Sequence, residues 1–145
     1  MKPHMTPEQI AKTYLSSLEK SDLATILELY TPDGVVHSPL YGPRRAADFY
    51  TALFKDTGRA KIGLKGVTEG KQVDGRPLIT IWFQFDWTLP SGQPAHFECV
   101  DVLEVDENSR VAALHIIYDT VTARPAYEAE HGPGSSWRPT FKPLE

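Results

Sequence analysis

Two stretches of strict alternation, ITIWFQFDWTL and FECVDVLEV, constrain this chain more than any other feature. In the first, Ile79, Ile81, Phe83, Phe85, Trp87 and Leu89 share one parity, opposite Thr80, Trp82, Gln84, Asp86 and Thr88. In the second, Phe97, Cys99, Asp101, Leu103 and Val105 alternate with Glu98, Val100, Val102 and Glu104. Side chains on a strand point alternately to opposite faces, so each stretch predicts a strand with one apolar face. The connection is Pro90-Ser91-Gly92. A two-residue Ser-Gly turn would set Asp101 on the face of Trp82, Gln84 and Asp86. A three-residue loop, with Gly92 supplying positive φ, shifts the register by one. It joins Ile81, Phe83, Phe85 and Trp87 to Phe97, Cys99, Asp101 and Leu103. Register follows the buried face, so the three-residue loop is expected. That register places a carboxyl at the centre of an apolar face. Ionised and unpaired there, it would cost roughly several kcal/mol, or it would hold a proton instead.

Before this alternation the period is helical. TPEQIAKTYLSSLEK puts Ile10, Ala11, Tyr14, Leu15 and Leu18 on one stripe, with Thr6 as N-cap, Pro7 at the first helical position and Glu8 in the first turn. SDLATILELY predicts a second short helix from Ser21 that buries Leu23, Ile26, Leu27 and Tyr30; TPDG predicts a turn, and Val35 to Pro39 a short strand. Pro43 is expected to open a third helix with Ala47, Phe49, Tyr50, Leu53 and Phe54 on its apolar side, ending before Gly58. Residues 62–73 suit a strand and Asp74-Gly75 a turn. A further turn, DENS, leads into RVAALHIIYD, whose Ala112, Leu114, Ile116 and Tyr118 complete the apolar face. Helices followed by a run of antiparallel strands predict an α+β fold, with about three N-terminal helices on one side of a curved antiparallel sheet. Residues 1–120 are expected to form a single domain. Residues 121–145, rich in Pro and containing GPGSS, are expected to be an irregular extension on that domain, docked through Arg124, Tyr127 and Trp137.

The chain of 145 residues is long enough to enclose a core. A net charge of −4 disfavours nucleic acid or an anionic membrane as partner. No apolar run approaches the roughly 20 residues that cross a bilayer. MKPHMTPEQI has no apolar secretion segment, so a cytoplasmic location is expected. The single cysteine excludes an internal disulfide.

Several short motifs, in order, resemble the nuclear transport factor two superfamily, which includes ketosteroid isomerases, SnoaL-like polyketide cyclases, limonene epoxide hydrolases and scytalone dehydratases. They are Y-x7-D-L-x2-I-x2-L-Y from Tyr14 to Tyr30, D-x-V-V-x-x-P from Asp33 to Pro39, Phe49-Tyr50, and the central Asp101. The resemblance spans residues 6–120 and implies a cone-shaped α+β fold. The ketosteroid isomerases look most similar in site layout. In that family a tyrosine and a neutral aspartic acid donate to a dienolate oxygen; Tyr14 and Asp101 match them, and Tyr30 and Tyr50 match supporting tyrosines. The family's general base is an aspartate at the position of Ser38. Serine cannot accept a substrate proton without a base beside it. His37 is adjacent, but alternation points it to the other face. Asp86 and Asp119 are the other candidates.

The expected function is a small-molecule enzyme acting on an apolar oxygenated substrate by isomerisation, cyclisation, dehydration or epoxide opening. Tyr14 and Asp101 would be its donors, with Ser38 and His37 at the substrate's far end. Phe83, Phe85, Trp87, Phe97, Leu114, Ile116 and Tyr118 would line its pocket, and Tyr30 and Tyr50 would support it. The alternative reading is a non-catalytic ligand-binding or dimerisation module of the same fold, with Asp101 a buried carboxyl satisfied by local partners. No Gly-rich phosphate loop implies an organic cofactor. His96, Glu98, His115, Asp86 and Asp119 share the outer face without a short metal-ligand motif, so no metal is expected. With Trp82, Val100, Val102 and Ile117, that face suits packing against a second copy, as a homodimer.

Overall fold

The structure, a computed structural model, describes residues 5–145. Residues 1–4, part of the N-terminal stretch read for a secretion signal, lie outside it. Helix α1 (Pro7–Lys20) begins at a capping box: Thr6 Oγ1 accepts from the Gln9 amide at 3.2 Å, and Gln9 Oε1 accepts from the Thr6 amide at 2.8 Å. It ends where Ser21 turns left-handed, at φ 53°. Ile10, Ala11, Tyr14, Leu15 and Leu18 are buried, so the helical stripe read from sequence is the packed one. A fully buried aliphatic side chain such as Ile10 contributes on the order of 1.5–3 kcal/mol. Helix α2 (Leu23–Glu28) starts two residues after Ser21, because Asp22 takes the cap and accepts from both the amide and the hydroxyl of Thr25.

Three expectations shift at this point. Tyr30 opens strand β1 (Tyr30–Ser38) instead of ending a helix. TPDG lies inside that strand as an irregularity in its pairing. Pro43 belongs to a short edge strand, β2 (Gly42–Arg45), not to the third helix. Gly42 makes this reversal at φ 76°, and an edge strand tolerates the missing N–H of proline. Helix α3 therefore starts at Ala46 and runs to Lys55, with Phe49, Tyr50 and Leu53 buried.

The remaining strands are β3 (Arg59–Lys71), β4 (Pro77–Thr88), β5 (Phe97–Val105) and β6 (Val111–Tyr118). They form an antiparallel meander. The β4–β5 turn is the three-residue loop: Leu89 N–H donates to Gln93 O, Gly92 has φ 91°, and Ile81 lies opposite Asp101. Among the described residues the six strands make one sheet, in the order β2-β1-β6-β5-β4-β3. It is mixed and not wholly antiparallel, because β1 runs parallel to β6. The helices cover the face that carries Ile81, Phe83, Phe85, Trp87, Cys99, Leu103 and Leu114, all buried.

The tail is more regular than its composition suggests. Residues 123–131 form helix α4 (Ala123–His131). Arg124 then holds the chain that follows it, donating to Ser136 Oγ at 2.7 Å, to Trp137 O at 2.7 Å and to Pro39 O at 2.9 Å. Trp137 lies so near Gly42 that a Cβ there would stand 2.8 Å from the indole. Proline and glycine read as irregular one residue at a time; the helix forms because Ala123, Ala126 and Tyr127 find a surface to pack on.

Candidate active site

Helices α1 and α3, strands β4, β5 and β6, the end of β1 and the β1–β2 turn surround one apolar cavity. Tyr14, Leu18, Ser38, Tyr41, Phe49, Leu53, Phe83, Phe85, Trp87, Phe97, Cys99, Asp101, Ile116 and Tyr118 line it. Its free volume is about 30 Å³, room for about one or two water molecules. Phe97, Ile116 and Tyr118 are the half-buried members of this wall and mark its open side. Phe97 and Tyr118 stack there with ring centres 3.8 Å apart.

Asp101 sits on the wall at 0% exposure. Its carboxyl accepts from Tyr14 Oη at 2.6 Å and from Cys99 Sγ at 3.0 Å. Burial pushes its pKa up to about 6, against the opposing pull of those two donors. The Tyr14 phenol is pushed well up, first by burial, then by Asp101 and by the nearby Tyr50 and Tyr30 hydroxyls. Burial likewise raises Cys99, and Asp101 adds to it, so the thiol stays protonated and serves as a donor. The sequence reading made Tyr14 and Asp101 parallel donors. In the structure they are joined: Tyr14 donates to Asp101.

Of the other expected residues, Phe83, Phe85, Trp87, Phe97, Ile116 and Tyr118 lie on the cavity wall. Leu114 does not; it is fully buried behind it. Tyr30 and Tyr50 hydrogen-bond to each other by their hydroxyls, also away from the wall. Ser38 does reach the cavity, but its Oγ accepts from the amides of Leu40 and Tyr41, at 3.2 Å each. It closes a turn and takes no proton.

His37 is not in the cavity. Alternation sends it to the outer face, where its ring stacks on His115 at 4.7 Å. There the two line a separate open hollow of about 460 Å³ together with Arg124 and Trp137. Burial, and then His115, lowers its pKa. His115 is itself paired with Glu104 at 2.6 Å. Asp86 is bound by Gln84 and Asp119 accepts from the Val121 amide, and neither candidate base is part of the cavity wall. Among the described residues no three His, Cys, Asp or Glu side chains gather as a metal site.

The SnoaL-like domain matches residues 11–114, more than half of the chain. The chain belongs to the SnoaL-like family. Membership in the nuclear transport factor two superfamily follows, and solved structures share the fold. SalBIII, an epoxide hydrolase/cyclase-like enzyme of pyran ring formation in the polyether salinomycin, superposes with a TM-score of 0.64 at 13% identity, over 80% of this chain and 92% of its own. IdmH from Streptomyces antibioticus, described provisionally as a polyketide cyclase, gives 0.65 at 17% identity, over 85% and 99%. An NTF2-like protein of Cytophaga hutchinsonii gives 0.61 at 12% identity, over 88% and 100%. No curated protein matches in sequence. Among the described residues no helix is long and apolar enough to cross a membrane.

Five wall residues of the SnoaL-like cavity were not in the expected set. Leu18, Phe49, Leu53 and Cys99 carried a signal, because each shares the helical stripe or strand parity of a residue that was chosen. Tyr41 carried none: it follows Pro39 in a turn, where no period applies.

Proposed function

We propose that the cavity is a small-molecule active site in which the Asp101–Tyr14 pair is the acid–base group. The observation that carries this is a fully buried carboxyl poised near pH 6 on an otherwise apolar wall. A group with a pKa near the working pH is the one best able both to give and to take a proton. The apolar wall suits a hydrocarbon-rich substrate, and Asp101 suits a reacting epoxide or carbonyl oxygen on it. Epoxide opening and cyclisation are favoured over double-bond isomerisation, which needs a base where Ser38 stands. Resemblance in fold to SalBIII and IdmH supports the same direction. Substrate binding requires the stacked Phe97 and Tyr118 on the open side to part, since the cavity as it stands holds so little.

4-Nitrophenol tests the pair, because its phenolate mimics an oxygen gaining negative charge and absorbs apart from the phenol. Asp101→Leu and Tyr14→Phe should each weaken its binding about tenfold, the worth of one hydrogen bond to a charged group. Equal affinity in parent and both variants would remove the assignment.

A second reading concerns the outer face, where Trp82, Val100 and Ile117 lie directly opposite one another on β4, β5 and β6. They are 45%, 37% and 59% exposed. An apolar row in register across three strands suits a second copy of the chain, which makes the protein a homodimer. Sedimentation velocity should then show a dimer that Trp82→Lys with Ile117→Lys converts to a folded monomer. A parent that sediments as a monomer at tens of micromolar would exclude it.

A further inference from the structure

Ser38 leaves the cavity without a proton acceptor at the expected place, but the turn that Ser38 closes leads to another. Tyr41 forms part of the cavity wall and packs edge-on against Phe49 and Tyr127, each at 5.5 Å. Its hydroxyl donates to Asp56 Oδ2 at 2.6 Å. The other oxygen of that carboxylate, Oδ1, stands 3.5 Å from His131 Nε2. The His131 side chain is 32% exposed, and its ring rests on Tyr127 at 4.3 Å. A hydroxyl, a carboxylate and an imidazole thus run in sequence from the cavity wall to solvent. Three separate segments supply them: the β1–β2 turn, the C-terminal end of α3 and the last residue of α4.

We propose that Tyr41, Asp56 and His131 form a proton relay that gives the cavity a second acid–base group beside the Asp101–Tyr14 pair. The proposal rests on the reading of the cavity as an active site. A substrate hydroxyl bound to Tyr41 Oη passes its proton to that oxygen as the proton of Tyr41 moves to Asp56. Asp56, now neutral and protonated at Oδ2, turns its carboxyl to carry that proton to His131 Nε2, and the imidazolium releases it to solvent. The substrate oxygen, freed of its proton, closes onto an electrophilic carbon whose epoxide or carbonyl oxygen takes the proton of Asp101. One proton leaves to solvent through the relay, one enters from Asp101, and Asp101 regains its proton from solvent, so no further reactant is needed. The substrate class is therefore a hydroxy-epoxide or hydroxy-ketone.

The surroundings fit a conduit more than a store of charge. Burial, then the bond to Asp56, holds the Tyr41 phenol well above its ordinary pKa, so a standing tyrosinate is disfavoured and its two protons move together. Arg44 lies over the Tyr41 ring at 5.4 Å, and the phenols of Tyr127 and Tyr118 also face it. Glu128, one turn before His131 on α4, is engaged by Ser136 and Arg138 and is not available to the imidazole. His131 lies beyond residues 11–114, so the C-terminal helix supplies the solvent end of the relay from outside the family match.

The test reads the ionisation of 4-nitrophenol bound at saturation to the full chain. If Asp56 takes up the phenol's proton through Tyr41, the phenolate-to-phenol ratio of bound probe should fall about tenfold in Asp56→Asn. His131→Gln, which keeps a side chain of similar length on α4, should lower it in the same direction and carries the test if Asp56→Asn does not fold. A bound spectrum identical in parent and variants overturns the relay while leaving the Asp101–Tyr14 site standing. A parent that binds no probe overturns the active-site reading and the relay with it.

Discussion

Asp101→Asn should make the protein more stable than its parent at pH 8 and less stable near pH 4. The folded pKa of about 6 lies above the ordinary 3.8, so the folded state holds this proton more tightly than the unfolded chain. Below pH 3.8 both states are protonated and the group costs nothing. As pH rises from there to 6, the unfolded chain releases the proton first and stability falls. Above 6 the full penalty, about 3 kcal/mol, is in place. Asparagine has no such penalty, but sets one amide N–H against the Cys99 sulfur in place of an accepted bond, costing about 1 kcal/mol at every pH. The variant should therefore gain about 2 kcal/mol at pH 8 and lose about 0.5 kcal/mol at pH 4, and the two stability curves should cross. Urea unfolding of both proteins across that range measures it. Parallel curves would mean that Asp101 is not held near neutrality.

Trp87→Ala should cost about 3–5 kcal/mol, the range for removing a large buried aromatic. Trp87 is 1% exposed, stacks edge-on to Phe85 at 6.3 Å, and donates from Nε1 to Thr57 Oγ1 at 3.0 Å. Because it already forms cavity wall, its loss widens a space that water does not fill readily, and the neighbours on β4 and α3 cannot close it. Trp87→Phe keeps most of the packing and should lose about half as much. Urea midpoints of the two variants decide this, and a loss under about 1 kcal/mol for alanine would show the wall to be pliable.

Alternation from Ile79 to Leu89 and Phe97 to Val105 carried most of the sheet, because a period of two and one buried face leave a single register once the loop length is set. The Pro90-Ser91-Gly92 loop was therefore legible, and with it the position of Asp101. Helix α4 was not, since its packing surface is tertiary and its own sequence holds Pro125. The β1–β6 pairing was equally hidden: Val36 meets Leu114 across the whole meander, and nothing local in VVHSP says so. At the site, periodic elements delivered Tyr14, Phe83, Phe85 and Asp101. Parity also told against His37, which nonetheless stood among the candidates because it adjoins Ser38. Asp56 and His131 lie at helix ends and Tyr41 in a turn, where a side chain's direction is set by the chain's exit path and not by any repeat.

The parallel pairing bears on how the chain comes off the ribosome. Strand β6 lies between β1 and β5, yet it is the last strand to be synthesised. Until it is present, β2–β1 and β5–β4–β3 are two separate fragments, each with an unpaired edge where β6 will later insert. Such edges invite pairing with other chains. A product cut short before Val111 would keep both of them open permanently, so truncation of this protein should end in aggregation and not in a smaller folded core.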